Sequence, residues 1–306
     1  VEVTKAAEVY TDCLTFTGES SEFTLKANYG NVWDGTLYYS TDHNTWTVWN
    51  GEEINSANKK LYLKGKGNTK FEWYDDNAED LYYMEFRLSA KAGCSGNIQT
   101  LLDYENPPTS IPANDCYNKM FHGCTNLTTA PELPATTLTS HCYDNMFGNC
   151  TNLTTAPNLP ATTLASGCYS SMFFGCTSLT TAPALPATIL AEYCYSSMFN
   201  SCTNLTTAPA LPVTTLAKYC YGYMFQDCTN LTTATPLPAT TLVEYCYAGM
   251  FSSCTKLKVN TSSGNKIFTC PSSIPGYAVY DMFYNTGGSI TGAGTPTAGN
   301  TYYWTE

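Results

Sequence analysis

CYDNMFGNCTNLTTAPNLPATTLAS, residues 142–166, is one copy of a phrase that the chain repeats at a fixed step of 26 residues. A constant period decides the architecture before any propensity does, because a unit this short has no core of its own and must be covered by its neighbours. Cys116, Cys142, Cys168, Cys194, Cys220 and Cys246 open the copies, and Cys124, Cys150, Cys176, Cys202, Cys228 and Cys254 follow in step. Met-Phe pairs stand between them, from Met120-Phe121 through Phe173 to Met250-Phe251. A seventh copy keeps Met282-Phe283 but carries Ala278 and Thr286 at the cysteine positions, as a terminal cap departs from the repeats it closes. Residue i therefore stacks on residue i+26 in a solenoid.

Within a copy, Cys-Tyr-x-x-Met-Phe-x-x-Cys places Cys, Met and Cys at i, i+4 and i+8, positions that a 3.6-residue period turns to one face. That spacing predicts a short helix. Leu127-Thr128-Thr129-Ala130 and its copies are rich in β-branched residues and are stopped by proline, which predicts a short parallel strand. The expected fold class is an α/β solenoid with a short parallel strand and a short helix per repeat, over residues 97–290, with residues 291–306 as a C-terminal cap or tail.

The phrase Met-Phe-x-x-Cys-Thr-x-Leu-Thr-x-Ala followed by Leu-Pro resembles the BspA-type leucine-rich repeat, whose usual pattern is Ala-Phe-x-x-Cys-x-x-Leu-x-x-Ile and then Leu-Pro. The resemblance covers residues 98–290, with a longer period and with Ala130 and Pro131 near the usual Ile. It implies a non-enzymatic, surface-exposed binding protein of the kind carried by oral and gut anaerobes. Similar repeats resemble those in the fibre proteins of their phages.

The cysteines admit three readings: disulfides, metal ligands or buried thiols. In a helix the two cysteines of a copy lie about 12 Å apart, at ~1.5 Å per residue, beyond the ~7 Å that a disulfide spans. Metal ligation lacks a Cys-x-x-Cys pair, and His43, His122 and His141 do not recur. Cysteine buried as a small hydrophobe fits best, and the resemblance implies an apolar and a core cysteine position. The twelve repeat cysteines, with Met120, Phe121 and Phe173, are thus expected to form core ladders, with no metal or cofactor.

The first 96 residues lack the period and hold Trp33, Trp46, Trp49 and Trp73, and 17 of the 25 acidic residues fall by Glu105. They are expected to form a separate, small β-sandwich-like domain, with strands near 14–17, 22–26, 36–40, 45–49, 60–64 and 81–88 and a hairpin turn at 40–44. The acidic run 74–80 lacks the spacing and glycine of a calcium loop and is expected to be solvated. Net charge is −11, with lysine and arginine thinly spread, which argues against nucleic acid. No apolar stretch approaches the ~18–20 residues of a transmembrane helix, and no cationic segment followed by an apolar run opens the chain.

No recurring acid, histidine or glycine-rich loop forms a catalytic constellation, since Glu132, Asp144, Glu192 and Asp227 occupy different positions in their copies. The Asn-Leu-Thr sequons at Asn126, Asn152, Asn204 and Asn230 follow from the repeat itself. Binding is expected where copies differ: at Tyr193, Tyr219 and Tyr245, beside Glu192, Lys218 and Glu244, or at the one of Trp46 and Trp49 that faces out. The expected function is a surface adhesin or receptor-binding protein, on a cell or a virion, for a host glycan or protein. A structural spacer is the alternative. Ice binding by the paired threonines is a distant third, because a strand splits such a pair between its faces.

Overall fold

The computed structural model describes residues 13–30, 32–75, 80–290 and 294–305. The N-terminal part is antiparallel: strands β1 (Leu14–Gly18), β6 (Lys60–Lys66), β3 (Thr36–Ser40), β4 (Thr47–Trp49) and β10 (Ala92–Ser95) form one sheet in the order β10-β1-β6-β3-β4. A second sheet, in the order β5-β2-β9, contains β5 (Ile54–Asn55), β2 (Thr24–Asn28) and β9 (Glu85–Leu88). Alternation drives the pairing: Leu14 and Phe16 point inward from β1 while Thr17 faces water. Phe16, Trp49 and Phe86 meet between the sheets, with ring centroids 5.6 and 6.1 Å from Phe86. The expected strand at 81–88 is two strands, β8 (Asp80–Tyr83) and β9, and β8 pairs with β7 (Glu72–Asp75). Residues 76–79 of the acidic run, like the first twelve residues, lie outside the described residues.

The repeats contain no α-helix, which corrects the expected α/β solenoid. The only helical element among the described residues is a 3-10 turn over Ile98–Leu101. In place of each helix runs a chain of tight turns with a left-handed residue at every fourth position: Gly167, Ser171 and Gly175 in the third copy, Tyr193, Ser197 and Ser201 in the fourth. Such residues break the i→i−4 ladder, and the N–H groups divide into two sets. Those of Ser170, Met172, Phe174 and Cys176 bond three residues back, to Gly167, Tyr169, Ser171 and Phe173. Those of Gly167, Tyr169, Ser171, Phe173 and Gly175 cross to Glu192, Cys194, Ser196, Met198 and Asn200 of the next copy. At about 1 kcal/mol net per bond, the five crossings stabilise each coil-to-coil contact by ~5 kcal/mol before any apolar burial. A helix would satisfy its amides internally and leave the copies joined by side chains alone.

The expected strand is also reduced, to isolated parallel bridges such as Thr129 with Thr155, Thr163 with Ile189 and Thr207 with Thr233. Leu-Thr-Thr is followed at once by Ala-Pro, whose missing N–H stops a ladder from propagating. Without a strand there is no alternation, and both threonines of the pairs 154–155, 180–181 and 206–207 face water. Bridges that fail to continue from copy to copy do not give the regular flat array on which the ice-binding reading rested.

The two ends are capped by sheet. Residues 86–98 act as a coil ahead of the first repeat, since Phe86 N donates to Met120 O, Ala92 N to Asn126 O and Ile98 N to Glu132 O. Phe86 also stands 5.1 Å from Phe121, at the head of the phenylalanine ladder. Packing is therefore continuous across residue 96. At the far end, β11 (Lys258–Asn260), β12 (Asn265–Thr269), β13 (Gly287–Gly288) and β14 (Thr301–Thr305) form a sheet in the order β12-β14-β11-β13. The segment expected as a cap or tail supplies β14, paired on both sides, with Trp304 and Tyr302 buried.

Candidate functional site

The turn chain generates two tyrosine ladders of different character. The position before the first cysteine of each copy is left-handed throughout: Asp115, His141, Gly167, Tyr193, Tyr219, Tyr245 and Tyr277 have φ between 53° and 60°. Asp and Gly tolerate this region, whereas a bulky tyrosine there is an outlier. From the fourth copy onward the site is nonetheless tyrosine. The rings stack at 4.5 Å between Tyr193 and Tyr219, 4.3 Å between Tyr219 and Tyr245, and 5.1 Å between Tyr245 and Tyr277. The structure thus brings the three expected tyrosines together and adds a fourth. The seventh copy hides Tyr277, because an insertion sets it 32 residues after Tyr245, but its place directly before Ala278 marks the same register.

Beside the ladder, Lys218 Nζ lies 3.0 Å from Glu244 Oε2, an exposed pair that is worth little in water. Loss of water, and then a hydrogen bond with Tyr245, push the Tyr219 phenol up to about 12. A Cβ at Gly167 would stand 2.3 Å from Cε1 of His141, so the imidazole already fills that rung, and its Nδ1 lies 3.1 Å from Asp144 Oδ2.

The two candidate tryptophans part company. Trp49 is core: it stacks on Trp33 at 5.6 Å, and its indole N–H donates to Glu52 O at 2.7 Å. It therefore cannot contact a ligand. Trp46 is half-buried on the outer face of the five-stranded sheet, under the Lys64 ammonium, which stands 4.1 Å from its ring and 4.0 Å from that of Tyr104. The intervening hairpin turn is held by Asp42, whose carboxylate accepts from the Asn44 and Thr45 amides. Those bonds hold its pKa well below the usual carboxylate range.

All fifteen cysteines are buried, and none is joined in a disulfide. The helical spacing that separated the two cysteines of a copy is absent, but the thiols have other partners. Cys150, Cys176, Cys202, Cys228 and Cys254 each donate S–H to the carbonyl of the phenylalanine one coil back, at 3.0 to 3.1 Å. Burial pushes Cys124, Cys142, Cys176 and Cys194 up to about 12, so thiolate is scarce and reactivity low. Among the described residues no three His, Cys, Asp or Glu side chains converge as a metal site.

Sequence reasoning overlooked the second ladder, Tyr117, Tyr143, Tyr169, Tyr195, Tyr221 and Tyr247, all buried and stacked at 5.6 to 6.0 Å. Tyrosine directly after every first cysteine was its signal. Met and Phe follow the same four-residue step, and Phe147, Phe173 and Phe199 stack at 5.7 and 5.6 Å.

A family model described as the BspA type leucine-rich repeat region matches the chain in six copies, over residues 110–221 and 169–273, more than half of its length. No curated protein and no solved structure matches. No helix among the described residues is long and apolar enough to cross a membrane.

Proposed function

Because the chain belongs to the BspA-type leucine-rich repeat proteins, we propose that it is a non-enzymatic adhesin or receptor-binding protein, displayed on a cell or virion surface, that presents its repeat face to a host glycan or protein. The observation that carries this reading is the outer tyrosine ladder. Holding a bulky residue left-handed costs of order 1–3 kcal/mol, and an aromatic pair returns ~0.5–1.5 kcal/mol. Four strained tyrosines against three stacks leave the ladder at best neutral for stability, while Gly167 and Asp115 show that cheaper residues fit the position. Aromatic side chains retained at such a cost on an outer surface support a role in contact, since tyrosine offers a ring and a hydroxyl with little entropy to lose.

The backbone bonds that join each coil to the next favour, as a second reading, a spacer that carries no ligand of its own. The discriminating experiment is a glycan and host-protein array probed with the full chain and with the triple variant Tyr193→Asn, Tyr219→Asn, Tyr245→Asn. Asparagine tolerates the left-handed region, so the backbone is kept while the rings are lost. Binding that drops in the variant supports an adhesin; an array on which the parent binds nothing favours the spacer.

A further inference from the structure

A self-stacked ladder hides ring faces, so a ligand can stack on it only where the stack ends. At the first end the His141 imidazole fills the space over Gly167, one coil before Tyr193. The last rung is open. The capping segment covers only part of the seventh coil: Phe283 N donates to Gly294 O and Asp281 N to Thr295 Oγ1, at the level of the core phenylalanine. Tyr277 is left 58% exposed, against 36% for Tyr193 at the other end. Tyr280 stands beside it at 82°, with centroids 5.6 Å apart, so the two phenols form an L-shaped corner. Ile274, Pro275, Thr295 and Pro296 complete a pocket of about 220 Å³.

We infer that this corner, Tyr277 and Tyr280 walled by Ile274, Pro275 and Pro296, is a binding site for one neutral pyranose ring at the end of a glycan. The volume is below the ~300–1,000 Å³ of drug-sized ligand sites and admits a single ring. A pyranose has a flat C–H face that packs on one phenol while its edge meets the other, and its hydroxyls find the Tyr277 O–H and Thr295 at the rim, the Tyr280 O–H being bonded to Asp281. Charge decides between sugars. No charged side chain lines the pocket and the Asp281 carboxylate borders it, which disfavours sialic acid, uronic acids and sugar phosphates.

The inference rests on the binding-protein reading and adds to it a place and a ligand class. The test is saturation-transfer NMR on the full chain with glucose, galactose, mannose and N-acetylglucosamine, and with sialic acid as the anionic control. At least one neutral sugar should receive saturation and sialic acid should not. Tyr277→Gly, which suits the left-handed backbone, and separately Tyr280→Ala should each weaken that binding about tenfold, the ratio that ~1.4 kcal/mol of lost stacking gives. No neutral sugar binding, or full binding by both folded corner variants, overturns the inference. If array binding survives the corner variants but falls in the triple variant, the corner is wrong and the adhesin reading stands.

Discussion

Raising the pH should unfold this protein abruptly, and the buried thiols set where. Burial lifts the folded pKa of Cys124, Cys142, Cys176 and Cys194 from the ordinary 9.0 to about 12, and the remaining repeat cysteines shift the same way. Over that window the folded state holds more protons than the unfolded one. Stability is therefore full below pH 9 and falls as pH rises toward the folded value. Between pH 9 and 10 each thiol loses about 1 kcal/mol of its contribution, so twelve lose on the order of 12 kcal/mol. That rivals the whole ~5–15 kcal/mol stability of an ordinary domain. The buried tyrosines, ordinarily at 10.0 and also pushed up by burial, add to the loss above that pH. Circular dichroism and thiolate absorbance, followed together in the presence of a phosphine reductant, should show one cooperative transition that begins close to pH 9. Thiolate appearing gradually while the fold persists would mean hydrated thiols and would refute the core-ladder account. A fold that persists without thiolate through pH 10 would keep the thiols buried and place the stability above about 12 kcal/mol.

Thiol titration in denaturant without reductant should find most of the twelve repeat cysteines reactive, and the folded protein should protect them; six protected pairs after unfolding would establish disulfides instead. Phe173→Ala removes a ring stacked on both sides and should destabilise by about 3–5 kcal/mol in denaturant unfolding, so an unchanged midpoint would exclude Phe173 from the core. Trp49→Ala should cost a similar ~3–5 kcal/mol, while Trp46→Ala should cost far less, and equal losses would contradict the division between an inner and an outer tryptophan. The triple asparagine variant should unfold within about 1–2 kcal/mol of the parent, because strain and stacking are lost together.

The period of 26 residues determined by itself that the copies cover one another, which side chains share a ladder, and that the recurring Cys, Met and Phe lie inside. That follows because identical copies can bury an apolar set only against themselves. Strands of the N-terminal sheets, such as Thr36–Ser40, were legible from alternation and turn residues for the same local reason. The conformation of the Cys-Tyr-x-x-Met-Phe-x-x-Cys segment was not. Spacing of i, i+4 and i+8 suits a helix and a chain of four-residue turns alike, and what separates them is where the amides find partners. Gly123, Asn149, Gly175 and Asp227, residue types that tolerate a left-handed backbone, hinted at turns. Only the neighbouring coil, by accepting every second N–H, makes those turns cheaper than a helix. Tertiary structure likewise decided that Trp49 turns in and Trp46 out, that residues 86–98 are the first coil as well as sheet, and that β14 closes the far end. Each of these depends on which distant backbone is within hydrogen-bonding reach, a relation that periodicity along the chain does not contain.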